Sequence, residues 1–205
     1  MLGKKESLCL DAVVDFIKKN PRFRPMTLGE INRLFRGLDP RRTFLLLKGS
    51  YGAHDCVIAI LLDYDVSSMP TLGNPLGLFY RIYCKPPVEI TFTRETASDR
   101  VTKQIGLTVE IEVNNPVIDD HYLIHSNDEE TARQVTSIKP LSLFLEKNYH
   151  DLEKFEITLH GLDYQRSAPL DLASPEWIDR DLDALLEVAR SFSTEEESSE
   201  SDDDD

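Results

Sequence analysis

The run Cys56-Val57-Ile58-Ala59-Ile60-Leu61-Leu62 constrains this chain more than any other segment. Successive side chains of an extended strand point to opposite faces, so seven apolar residues in a row are apolar on both. Such a strand has to be covered on both sides, which places it inside a sheet in a layered fold. The run is also far short of the roughly 20 residues that a membrane-spanning helix needs. The preceding segment TFLLLKGSY, joined to it through Gly52-Ala53-His54, reads as its partner in a buried hairpin.

The flanks of this hairpin differ in period. Residues 7–20 place Leu10, Val13, Val14 and Ile17 at helical spacing, with Lys18 and Lys19 in the last turn, where cations suit the negative end of the helix dipole. Pro21 stops that helix. A second one starts at Thr27, with Glu30 completing a capping box, Ile31, Leu34 and Phe35 as its apolar stripe, and Gly37 at its end. Downstream, LFYRIYCK and VEITFT read as strands, a short helix is expected from Thr96 to beyond Asp99, and Leu107, Val109, Ile111 and Val113 alternate with polar residues as a further strand. HYLIH reads as a strand, Ser126 or Asn127 as the cap of a helix carrying Glu129 and Glu130, and Pro140 as the start of a helix bearing Leu141, Phe144 and Leu145. A last strand runs from Phe155 through Ile157 and Leu159 towards Tyr164. Ser174-Pro175 opens a helix whose Trp177, Ile178, Leu182, Leu185, Leu186, Ala189 and Phe192 form one continuous face.

Half-exposed strands among unevenly spaced helices indicate α+β, with a largely antiparallel sheet of six or seven strands and flanking helices. The domain reading has three parts. Residues 1–42 form a basic helical subregion packed on the main domain, residues 43–193 the α+β domain, and residues 194–205 a disordered acidic tail. At 205 residues and 40% hydrophobic content, the chain buries a proper core without disulfides or metals. Cys9, Cys56 and Cys84 are widely separated, with no CxxC, which fits a reducing compartment. Two acids, Asp11 and Asp15, interrupt the apolar stretch after Lys4-Lys5, so no signal peptide is read. The expected location is cytoplasmic, with no membrane partner.

The net charge of −14 is unevenly distributed. Residues 1–48 carry 11 Lys/Arg against 5 acids, residues 49–194 carry 12 against 24, and residues 195–205 carry 8 acids and no base. A basic head, an acidic body and an acidic tail follow. The six arginines Arg22, Arg24, Arg33, Arg36, Arg41 and Arg42 are the candidate partner-binding residues. Phe23 and Phe35 lie among them, as in surfaces that follow a phosphate backbone. The acidic body and tail repel nucleic acid, however, and no helix-turn-helix, zinc-finger or RNP pattern is present. A surface that meets carboxylates, within the chain or on a protein partner, is the better reading. The tail serves solubility, attracts a basic partner or masks the arginines electrostatically. Ser199 and Ser201 each have an acid three residues on, as an acid-directed kinase requires.

Asp119-Asp120-His121 is the alternative site, since carboxylates and an imidazole together could serve a hydrolase, with or without a divalent cation. In an extended HYLIH segment, His121 and His125 would share a face but lie roughly 13 Å apart at about 3.3 Å per residue. There is no H-E-x-x-H either, so turn acids leading into a strand are the simpler reading. The Gly49–Asp55 loop lacks both the phosphate-loop and the nucleophile-elbow spacing, and reads as a hairpin connection. Cys56 reads as a small core residue rather than an activated thiol. No catalytic residue, metal ligand or cofactor is assigned.

The order of strand, Asn115-Pro116 turn, Asp119-Asp120, Tyr122-x-Ile124-x-Ser126-x-Asp128, a helix with Ala132 and a Pro140-Leu141 helix start resembles bacterial domains of unknown function over residues 78–190. The glycine-aspartate of such turns is replaced here by Asn114-Asn115. The resemblance implies an α+β fold without an assigned activity. The reading is therefore a non-catalytic protein-binding or regulatory domain.

Overall fold

The computed structural model describes residues 4–27, 30, 43–62, 76–96, 111–167 and 176–192. Along the chain these form α1 (Lys4–Lys19), β1 (Arg24–Pro25), β2 (Thr43–Tyr51), β3 (His54–Leu62), β4 (Leu76–Tyr83), β5 (Ile90–Arg94), α2 (Pro116–His121), β6 (Tyr122–Ser126), α3 (Glu129–Thr136), α4 (Lys139–Asn148), β7 (Leu152–Thr158), β8 (Gly161–Ser167) and α5 (Glu176–Ser191). The eight strands make one sheet in the order β1-β2-β3-β4-β8-β7-β5-β6. Every neighbouring pair is antiparallel. With helices beside it, the fold is α+β.

The apolar run behaves as its pattern requires. Cys56, Val57, Ile58, Ala59 and Ile60 in β3 are all buried. Cys56, Ile58 and Ile60 join the main core, with Leu47, Leu78, Tyr80, Ile82, Phe92, Ile124, Phe155 and Tyr164 from the neighbouring strands. Val57 and Ala59 point the other way into a smaller cluster with Met26, Leu46 and Phe79. Burying a large aliphatic side chain is worth about 1.5–3 kcal/mol, and that gain on both faces fixes β3 inside the sheet.

Eight strands replace the six or seven expected, because two were illegible. β1 is only two residues long. The single strand expected from Phe155 to Tyr164 is a hairpin, which turns at Leu159-His160 and returns as β8 to pair with both β7 and β4. Gly161 makes the return possible: its φ is 157°, and a Cβ there would stand 2.2 Å from the Ile82 carbonyl oxygen. Only glycine lets β8 approach β4 so closely.

The helices bury the faces their patterns indicate, with local changes. In α5, Trp177, Ile178, Leu182, Leu185, Leu186 and Ala189 are buried as expected, joined by Asp181 and Val188. In α1 the buried face is Ala12, Val13 and Phe16, while Val14 is 41% exposed. The helix is turned by its largest apolar residue, whose ring packs edge-on against Phe23 at 5.0 Å. The cap of α3 is Asp128, which accepts from Thr131 N at 3.0 Å. Ser126 is instead spent on the Glu89 carbonyl at 2.7 Å. Pro140 lies in the first turn of α4, and Leu141, Phe144 and Leu145 are buried.

Within residues 1–42, α1 is helical and β1 extends the same sheet as the main domain. The Thr27–Glu30 capping box is present, with Thr27 N donating to Glu30 Oε2 at 3.0 Å and Glu30 N to Thr27 Oγ1 at 3.4 Å. The remainder of that second helix, the helix at Thr96–Asp99 beyond its first residue, and the acidic stretch 194–205 lie outside the described residues. So does most of the strand expected at Leu107–Val113. Its described end, 111–113, is not in a strand, although Ile111 is buried and its N–H is 3.5 Å from the Ile124 carbonyl oxygen beside β6.

Candidate basic cavity at the sheet end

The chain leaves α1 at Asn20, turns at Pro21, and lays Arg24 and Pro25 against Lys48 and Leu47 of β2. This approach depends on Gly49, where a Cβ would fall 2.6 Å from the Phe23 ring and 2.8 Å from the Arg22 carbonyl oxygen. Glycine thus brings two arginines of the chain's basic head beside a lysine on the adjacent strand. The result is a cavity of about 370 Å³ lined by Arg22, Arg24, Lys48, Gly49, Ser50, Asp55, Cys56, Val57 and Tyr83.

The charges of this cavity are partly matched internally. Arg24 grips Glu30 with both terminal nitrogens, at 3.0 and 2.6 Å, and Lys48 reaches the same carboxylate at 2.6 Å. Hydrogen bonds from Arg24 and Lys48, with the Thr27 amide, hold Glu30's carboxyl far below its ordinary value. Asp55 accepts from Ser50 Oγ at 2.9 Å. Arg22 is exposed and has no ion pair among the described residues. Nucleophilic chemistry is poorly provided for: burial pushes the Cys56 thiol up to about 12, and His54 Nδ1 is 3.1 Å from the Tyr83 carbonyl oxygen rather than on Ser50. The arrangement suits capture of carboxylates or other anions.

Of the six predicted arginines, Arg22 and Arg24 meet at this cavity. Arg33, Arg36, Arg41 and Arg42 lie outside the described residues. Lys48 was not singled out, because its place opposite Arg24 follows from strand register and not from sequence spacing.

Asp119, Asp120 and His121 are placed otherwise than expected. They belong to α2, a one-and-a-half-turn helix capped by Asn115, whose side chain accepts from Val117 N and Ile118 N. The extended segment begins only at Tyr122. Asp119 spends one oxygen on Val113 N at 2.9 Å and the other on Asn115 N at 3.0 Å, bracing Asn114 in its left-handed conformation at φ 58°. His121 stacks on Tyr149 with ring centroids 4.2 Å apart. A carboxylate committed to two backbone amides and a ring lying flat on an aromatic describe a brace and a packing contact. Among the described residues, no group of three His, Cys, Asp or Glu side chains could hold a metal ion.

A second polar cluster lies between α5 and the sheet. Arg166 of β8 donates from Nη1 to both Asp181 oxygens at 3.0 and 3.2 Å, and from Nη2 to Asp151 at 2.7 Å. Tyr80 donates to Asp181 at 2.9 Å. Burial pushes the Asp181 carboxyl up, and Arg166 opposes that rise. Side-chain exposures of 3% for Arg166 and 4% for Asp181 leave no room for a ligand at this pair. It fastens α5 to β4 and β8. On the opposite sheet face, Arg81 and Asp163 form a two-pronged pair across β4 and β8.

The fold and the cavity together define an α+β domain with a cavity lined by Arg22, Arg24 and Lys48 at one end of an antiparallel sheet. No helix among the described residues is long and apolar enough to cross a membrane. The chain matches no protein-family model and no curated protein sequence. Among solved structures it is similar to the mycobacterial trehalose monomycolate transport factor A, TtfA, with a TM-score of 0.48 and 10% identity over 92% of this chain and 90% of that one.

Proposed function

We propose that this chain is a non-catalytic binding or regulatory domain that receives an acidic segment of a protein partner in the cavity lined by β1, β2 and β3. The observation that carries this reading is the convergence of Arg22, Arg24 and Lys48 on one cavity wall. Two of these cations, Arg24 and Lys48, already hold one carboxylate at once, that of Glu30. A partner's carboxylates would meet Arg22 first and could share the other two cations. Each charge-assisted bond contributes about 1.5–3 kcal/mol where water is excluded and much less where it is not. Binding should accordingly be weak for a single carboxylate and stronger for several in sequence.

Isothermal titration calorimetry with an oligoglutamate peptide tests this. The expected result is saturable binding that weakens as salt rises and is reduced at least about tenfold in an Arg22→Gln, Lys48→Gln variant, the equivalent of about 1.4 kcal/mol. Equal binding of wild type and variant would place the contact elsewhere.

A further inference from the structure

Resting on that reading, we infer that the acidic partner is a second copy of this chain. Two copies stack through the sheet face turned away from α5, and each seats the acidic end of that face over the other copy's basic cavity.

The strand register makes this face complementary to itself. Residues paired across neighbouring strands share a face. One row therefore crosses the whole sheet on the side of Val57: Arg24, Lys48, Val57 and Arg81 on β1 to β4, then Asp163, Glu156, Thr91 and His125 on β8, β7, β5 and β6. The first half of the row carries three cations and the second half two carboxylates. The sign changes between β4 and β8, the middle of the eight-strand order, where Arg81 and Asp163 pair with each other.

The acidic half has a cavity of its own, about 330 Å³, lined by Glu89, Thr91, His125, Asn127, Glu156 and Thr158 among others. Its depth along the strands matches that of the basic cavity. The basic one takes Lys48 and Val57 from the row, with Ser50, Asp55 and Tyr83 two residues nearer the β2–β3 turn. The acidic one takes Thr91, His125 and Glu156 from the row, with Glu89 and Thr158 two residues on in the same direction.

A two-fold axis parallel to the strands, above the β4–β8 boundary, turns this face over, exchanges β1 with β6 and β2 with β5, and keeps the row on itself. It lays each basic cavity on the other copy's acidic one, the isologous contact of a symmetric dimer. Arg22 and Glu89 lie two residues before Arg24 and Thr91, on the same side of the row, so the axis brings them within one strand spacing, about 4.8 Å, measured across the sheet.

The groups involved are accessible. Arg22, Glu89 and His125 are exposed, and the Lys48 and Glu156 side chains are 38% and 33% exposed. Every described helix sends its buried apolar residues to the main core on the other face, and the cluster of Met26, Leu46, Val57, Ala59 and Phe79 receives none. Glu30 and Asp55 offset part of the basic half, as Lys154, 2.9 Å from Glu156, does in the acidic half. Each copy carries −14 overall, so association depends on this local match.

Sedimentation equilibrium of the full chain tests the inference. The native chain should pass from the mass of one copy towards that of two as its concentration rises. Arg22→Glu or Glu89→Lys sets like charges together at both ends of a symmetric pair and should weaken dimerisation at least about tenfold. Both positions are exposed, so the fold should survive, as circular dichroism checks. An equimolar mixture of the two variants restores opposite charges at both ends and should recover the dimer. A native chain that stays monomeric would overturn the inference and leave the acidic-partner reading to the oligoglutamate titration. A dimer indifferent to both reversals would overturn it too, as would one weakened by both and not recovered in the mixture.

Discussion

Replacing Asp181 by alanine removes every acceptor that α5 offers to the buried polar cluster. Arg166 loses two hydrogen bonds from Nη1, at 3.0 and 3.2 Å, and the Tyr80 hydroxyl loses its acceptor, at 2.9 Å. The guanidinium keeps the Ser167 carbonyl and Asp151, but it stays 3% exposed with only that half-exposed carboxylate to balance its charge. Breaking a buried pair from one side costs about 3–5 kcal/mol, and the stranded Tyr80 hydroxyl falls within that range rather than adding to it in full. For a chain of this size, about 4 kcal/mol corresponds to a fall in Tm of roughly 8–16 °C. Urea denaturation followed by far-UV circular dichroism measures the loss directly. The companion variant Arg166→Met, Asp181→Leu removes both charges and should regain most of the stability, because apolar replacements of a buried pair are often neutral or better. Two results would refute the reasoning: a single variant within about 1 kcal/mol of wild type, or a double variant less stable than the single one.

Three more outcomes are expected. Since Arg24 and Lys48 depress the Glu30 carboxyl below its ordinary 4.5, its ion pairs should be intact above pH 4.5 and be lost only as pH falls through the lower folded value; a Glu30 carboxyl carbon-13 shift that titrates at 4.5 would contradict the pairing. Burial holds the Cys56 thiol at about 12 and the Cys84 thiol at about 11, so iodoacetamide at neutral pH should spare both in native protein and modify both in urea, as read by peptide mass mapping. Gly161→Ala sets a Cβ against the Ile82 carbonyl oxygen and should cost about 3 kcal/mol; a melting temperature equal to wild type would show that β4 and β8 part easily.

What the chain revealed in advance was whatever is local in sequence. The doubly apolar β3, the continuous face of α5 and the reciprocal Thr27–Glu30 cap depend on neighbours within a few residues, and each was legible. The β7–β8 turn was hidden because Leu159-His160 continues an alternating pattern, and only the close approach of Ile82 makes Gly161 obligatory. α2 was hidden by its brevity, since Asn115-Pro116 serves equally well as a turn or a helix start. The buried cluster joins residues 15 and 101 positions apart, so no spacing could announce it. The cavity was half legible: two arginines were marked by composition, while Lys48 and the demand on Gly49 came from how β1 lies on β2.

The strand order also dictates when the sheet can be finished. β4 lies beside β3 on one side, but its other neighbour is β8, whose paired residues are separated from it by 78 to 90 positions, from Tyr83↔Gly161 to Gly77↔Ser167. During synthesis the β2–β3–β4 meander is therefore complete while its inner edge, with Leu78, Tyr80 and Ile82, still lacks its native partner. An unpaired, apolar strand edge is a template for foreign strands. Until residue 167 has been added, the nascent chain carries a half-built sheet whose open side is its future centre, and its yield in the cell depends on how that interval is shielded.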